Sequence, residues 1–181
     1  MNDNVIFNVS EGTLTGRHII DSSKSIGQLE GVFANEKARR EMDQSLIVYR
    51  VQAYLPVPDG TTAGLFFGTT RINPGKVGDE YFMTHGHFHQ LMDRAEYYWC
   101  LKGKGMLILM NEGRHCYAEP MHPGSLHYIP ANTAHRVANT GDETLVFSAC
   151  WPSDAGHNYE EVRQKGFSKR LFDRNNIPTL E

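Results

Sequence analysis

The sequence predicts an all-β chain folded as an antiparallel sandwich or barrel, and two observations carry that prediction. From residue 45 onward, short runs of β-branched and aromatic residues follow one another, which is the strand and hairpin signal. Between the runs stand Gly, Pro, Asn and Asp, the residues that tight turns require. The composition agrees: 40% hydrophobic and 22% charged residues in a chain of 181 describe one folded domain with a sizeable core.

Residues 1–45 are polar and weakly patterned, and predict an arm that packs on the barrel or on a partner. One short helix is expected within Gly31–Asp43, where GVFANEKARREMD gathers good helix formers. Residues 46–181 are then the barrel domain. Its strands are expected at Leu46–Leu55, Gly64–Ile72, Glu80–His89, Ala95–Leu101, Gly105–Met110, Arg114–Met121, Ser125–Pro130, His135–Asn139 and Thr144–Trp151. The breakers Pro58-Asp59-Gly60, Asn73-Pro74-Gly75, Lys102-Gly103-Lys104, Asn111-Glu112-Gly113, Pro123-Gly124 and Thr140-Gly141-Asp142 separate them. A helix from about Tyr159 to Gln164 and a final outer strand follow, from the amphipathic YEEVRQKGFSKRLFDRNN. The chain has no repeat, low-complexity segment, GxGxxG or phosphate-loop signature.

With 18 Lys+Arg against 21 Asp+Glu the net charge is −3, so there is no broad positive field to attract nucleic acid or an anionic membrane. No apolar run approaches the ~18 residues that span a bilayer, and MNDNVIFNVSEG lacks the basic and apolar regions of a secretory signal. A cytoplasmic protein is expected. Cys100, Cys116 and Cys150 have no CxxC spacing and are expected to be reduced thiols, partly buried in strands.

Histidine is the anomaly, since seven of the nine lie between residues 85 and 135. In a strand, residues two apart share a face, so His87 and His89 of Thr84-His85-Gly86-His87-Phe88-His89 can present both imidazoles to one interior point. Glu96 opens the next strand, and a hairpin would fold its carboxylate back toward them. His135, just after a turn, can complete a three-nitrogen, one-oxygen set, which suits Fe, Mn, Zn, Ni or Cu. Any one of these residues alone is more often structural than a ligand; their combined order is hard to obtain by chance.

That order, H-x-H, then Glu96, Gly103, and Gly124, Pro130, His135 and Asn139, resembles the two cupin motifs, and so implies a cupin jelly-roll barrel with a 3-His/1-Glu metal centre. Two details depart from the generic pattern: six residues separate His89 from Glu96 instead of three or four, and Asn132 stands where Gly is usual. The words PGKVGDEYFMTHGHFH, DRAEYYWCLKGKGMLILM, PANTAHRVANTGDE and WPSDAGHNYEEVRQKGFSK are similar to those of the cupin-type phosphoglucose isomerases, from about Leu46 to Arg170.

The resemblance implies His87, His89, Glu96 and His135 as ligands of one divalent transition metal per subunit, Fe²⁺ favoured, with Mn²⁺, Zn²⁺ or Ni²⁺ possible. It implies a phosphate pocket at Tyr49, Thr70, Thr84, Gly86 and Tyr98, whose hydroxyls and backbone N–H can donate to phosphate oxygens without a lysine-rich patch. Glu96 and His157 would be catalytic, with Tyr159 near the sugar. Where an archaeal-type relative has Tyr before Pro and Lys before Gly, this chain has Trp151 and His85, so neither a phenol nor an ammonium carries over there. The implied reaction is the interconversion of glucose 6-phosphate and fructose 6-phosphate, through an enediolate or a hydride shift, in a homodimer serving glycolysis and gluconeogenesis. The same ligand set on the same fold also serves dioxygenases and decarboxylases, and a non-enzymatic sugar-binding module is the third reading.

Overall fold

The computed structural model describes residues 4–181. Its strands are β1 (Ile6–Asn8), β2 (Thr13–Thr15), β3 (Ile19–Ser25), β4 (Ile47–Tyr54), β5 (Leu65–Ile72), β6 (Lys76–Val77), β7 (Glu80–Tyr81), β8 (Glu96–Lys102), β9 (Gly105–Asn111), β10 (Cys116–Met121), β11 (Leu126–Ile129), β12 (Thr133–Asn139), β13 (Leu145–Pro152), β14 (Leu171–Arg174) and β15 (Ile177–Leu180). Two short helices, α1 (Glu36–Glu41) and α2 (Glu160–Lys165), and a 3₁₀ turn at Ile26–Leu29 complete it. No helix among the described residues is long and apolar enough to cross a membrane.

Every ladder is antiparallel. The main sheet runs β11-β8-β13-β5-β4-β3, and a three-stranded sheet runs β10-β9-β12. Side chains of both sheets, among them Cys100, Phe147 and Ile72 from the first and Leu107, Leu109 and Val137 from the second, merge in one hydrophobic cluster. These two packed antiparallel sheets are consistent with the cupin jelly-roll that the sequence resemblance implies. β8 alternates buried and exposed residues, as a strand with one wet face must. β12 is buried at every residue, because it lies inside the molecule on both faces.

Four expectations need correction. The predicted strand Glu80–His89 is a ladder only at Glu80–Tyr81; beyond it, isolated bridges join Met83 to Ala138, His87 to His135 and Phe88 to Asn158. Gly86 is the cause. Its φ is +81°, and a Cβ there would lie 2.9 Å from the Phe167 ring and 3.0 Å from the Cβ of Arg136, so the chain kinks where only glycine fits. The single outer strand is a hairpin: Arg174 pairs with Ile177 across Asn175 and Asn176, both at positive φ, the two-residue turn that matches strand twist. The helix expected within Gly31–Asp43 shortens to α1, because Val32 and Phe33 are drawn into the core and Asn35 caps what remains by accepting from the Ala38 N–H. Finally, the N-terminal segment is not wholly an arm. Its β3 pairs with β4 from Ile19↔Tyr54 to Ser25↔Ile47 and forms the edge of the main sheet.

Buried Glu80 ties this segment down, since it accepts from the Ala34 N–H and from Arg170 at 3.0 Å. The three cysteines sit in β8, β10 and β13 as free thiols.

Candidate metal centre and cavity

The bridge between His87 and His135 is double: His87 N–H donates to the His135 carbonyl at 3.3 Å, and His135 N–H to the His87 carbonyl at 3.1 Å. Directly paired residues project to one side, and the two rings lie 4.5 Å apart. His89 follows two residues on, its ring 5.3 Å from that of His135. The ligand atoms of His87, His89, Glu96 and His135 all lie within 4.8 Å of one another.

Glu96 reaches this point because the long connection before it is anchored. Arg94 holds Asp154 through two hydrogen bonds of 2.9 Å, and the Leu91 N–H donates to the Ala155 carbonyl. The extra residues also supply a partner for His89, whose Nδ1 lies 2.9 Å from the Arg94 carbonyl. His135 Nδ1 lies 3.2 Å from the Thr133 carbonyl. A carbonyl only accepts, so both Nδ1 atoms carry hydrogen and both Nε2 lone pairs face the Glu96 carboxylate. Nε2 of His89 is 3.4 Å from Glu96 Oε1, and Nε2 of His135 is 2.5 Å from it.

Neither His135 Nε2 nor Glu96 Oε1 has a hydrogen-bond partner, although both are buried. Two lone pairs at that separation repel unless a positive centre lies between them, so the donor set fits a divalent transition metal. Burial pushes the Glu96 carboxyl up, and protonated His135 and His89 rings, by charge and hydrogen bond, would outweigh it and hold it at about 2; with both rings neutral and their Nε2 lone pairs turned to the carboxylate, a bound cation would take that part. For His87, burial and then the neighbouring His135 and His157 rings pull the pKa well down, which keeps the ring neutral and its lone pair free.

The cluster forms one wall of a cavity of about 380 Å³. Tyr49, Thr70, Thr84, Gly86, Tyr98, His157 and Tyr159, the residues expected around substrate, all line it. The sheet register explains this. Tyr98, Ala149, Gly68, Ala53 and Ile20 are cross-strand partners in one row, and Phe147, Thr70, Val51 and Ser22 form the next. Burial raises the Tyr98 phenol, and the Glu96 charge raises it further; burial also raises Tyr49 and Tyr159. All three remain hydrogen-bond donors near neutral pH. The His157 ring stands 4.4 Å from His87 and nearly parallel to Tyr159.

His85 and Trp151 also face the cavity. The Trp151 indole packs edge-on against Phe66 and covers Gly68, where a Cβ would lie 3.0 Å from the ring. Gly68 makes the room for it. Sequence reasoning missed Ser22, Lys24 and Asp59, which line the same cavity. Ser22 and Lys24 come from β3, whose IIDSSKS has no apolar alternation to mark it as a strand.

A protein-family model described as glucose-6-phosphate isomerase matches residues 23–178. The chain is 43% identical over 157 residues to the glucose-6-phosphate isomerase of Thermococcus litoralis, covering 85% of this chain and 81% of that one. It is 41% identical over 156 residues to that of Pyrococcus furiosus, covering 85% and 82%. A bacterial relative of the same name, from Sinorhizobium medicae, is 37% identical over 79% of this chain and 67% of its own. Among solved structures, oxalate decarboxylase from Bacillus subtilis superposes with a TM-score of 0.46 at 22% identity, over 60% of this chain and 26% of that one.

Proposed function

The chain belongs to the glucose-6-phosphate isomerase family, and from that premise we propose that it interconverts glucose 6-phosphate and fructose 6-phosphate in this cavity. His87, His89, Glu96 and His135 would hold one divalent transition metal, Fe²⁺ favoured. The observation that carries the reading is the convergence of those four side chains, two of them with unpartnered buried atoms, on a cavity lined by phenols and threonines.

Such a metal would supply Lewis acidity to stabilise the negative charge of an enediolate. The chain's own residues do the rest. The ionised Glu96 carboxylate takes the proton from carbon 2 as that bond's electron pair forms the carbon 1–carbon 2 double bond. Returning the proton to carbon 1 leaves the carbonyl at carbon 2. His157 lies against the cluster, and burial lowers its pKa although the Glu96 charge opposes this, so its neutral ring can pass a proton between the two oxygens. Tyr159 orients that ring, and Tyr49, Thr70, Thr84, Tyr98 and the Gly86 N–H take the phosphate.

The enzyme acts as a cytoplasmic homodimer in glycolysis and gluconeogenesis. The outward face of β8 and β11 supports the dimer, because it exposes Tyr97, Trp99, Leu126 and Tyr128 on the open edge of the main sheet. Purified protein incubated with glucose 6-phosphate should form fructose 6-phosphate; no product at any metal loading overturns the reading. In D₂O, proton transfer places deuterium at carbon 1 of fructose 6-phosphate, whereas a hydride shift carries the original hydrogen across.

A further inference from the structure

We propose that Lys24, on the N-terminal edge strand β3, is the cation that receives the substrate's phosphate group. The inference deepens the isomerase reading and rests on it. A sugar phosphate carries about −1.5 to −2 charge near neutral pH. It must enter a cavity that already holds the carboxylates of Glu96 and Asp59. Hydroxyl donors solvate that charge without neutralising it, and Lys24 is the one Lys or Arg among the described residues lining the cavity. Arg136, Arg163 and Arg170 do not substitute for it, since they line a separate small pocket behind His85.

The register puts Lys24 at the correct end. It is the cross-strand partner of Tyr49, and Ser22, next on the same face, shares a row with Val51 and Thr70. One expected phosphate contact, Tyr49, is thus its direct cross-strand partner, and another, Thr70, lies two strands away in the adjacent row. Glu96 lies on β8, four strands away in the order β8-β13-β5-β4-β3. Lys24 is also uncommitted. It has no hydrogen bond or ion pair among the described residues, and its flexible stem can follow the phosphate as a point charge.

The test uses Lys24→Gln and Lys24→Arg with two readouts, KM for glucose 6-phosphate and calorimetric binding of inorganic phosphate in competition with the sugar phosphate. Lys24 is exposed at a sheet edge, so neither change disturbs packing, and circular dichroism checks the fold. Lys24→Gln should raise KM and weaken phosphate binding about tenfold, equal to about 1.4 kcal/mol, with kcat changing less. Lys24→Arg should stay within about threefold of the parent protein. Wild-type phosphate affinity in Lys24→Gln overturns the proposal. If the parent protein forms no fructose 6-phosphate yet loses phosphate binding with Lys24→Gln, the isomerase reading fails and the anion site stands.

Discussion

Thr84 shows how much a single side chain is asked to do. Its Oγ1 accepts the Val137 N–H at 3.1 Å, which leaves its own hydrogen free to donate into the cavity. Thr84→Val removes that donor and orphans the Val137 N–H. KM for glucose 6-phosphate should rise about tenfold, and urea denaturation should show a loss of about 1–3 kcal/mol. Thr84→Ser should preserve both; a valine variant with unchanged KM would remove Thr84 from the phosphate site. Glu96 carries two roles, ligand and base. Glu96→Gln keeps size and an oxygen donor but loses the charge and the proton acceptor, so kcat should fall about 10²- to 10⁴-fold even at saturating metal. Near-full kcat under those conditions leaves Glu96 a ligand only. Glu96 stood out in the sequence as a candidate ligand, because an H-x-H with a following carboxylate names its own chemistry; Thr84 entered only through the family resemblance. Lys24 did not stand out, since one lysine in a polar stretch looks like any solvated charge.

At the scale of elements, the kink at Gly86 and the connection before β8 together decide where the imidazoles point. The sequence was read as one strand through His89, and the parity of His87 and His89 survives only because both lie after the kink. What the reading lacked was Phe167, distant in the chain, whose ring forbids a side chain at Gly86. Gly86→Ala would place a Cβ at positive φ against that ring, and thermal unfolding should show destabilisation greater than about 1 kcal/mol. The connection of residues 90–95 was noticed only as an unusual spacing. Its purpose is in the contacts: it holds His89 by a carbonyl and is itself held by Asp154. Arg94→Gln should therefore weaken metal binding about tenfold in a chelator competition, without touching a ligand. Unaltered affinity would show that the loop stands without its anchor.

Taken as a whole, the barrel was readable because turn residues and short apolar runs repeat along residues 46–152, a local signal needing no tertiary knowledge. The membership of β3 in the main sheet was not readable, because an edge strand of polar residues is held by backbone pairing with β4, to which IIDSSKS contributes no pattern. The exposed aromatic face of β8 and β11 predicts a dimer. Light scattering should give twice the chain mass, and Tyr128→Glu should shift it toward the monomer; a monomeric parent protein removes the interface. The central claim, that a metal held by His87, His89, Glu96 and His135 is required for isomerisation, is tested by stripping metal with a chelator and following fructose 6-phosphate formation. The account predicts that activity is lost and then recovered with Fe²⁺ or Mn²⁺ better than with Mg²⁺, which imidazole-rich sites bind poorly. Full activity in protein shown to be metal-free would contradict it.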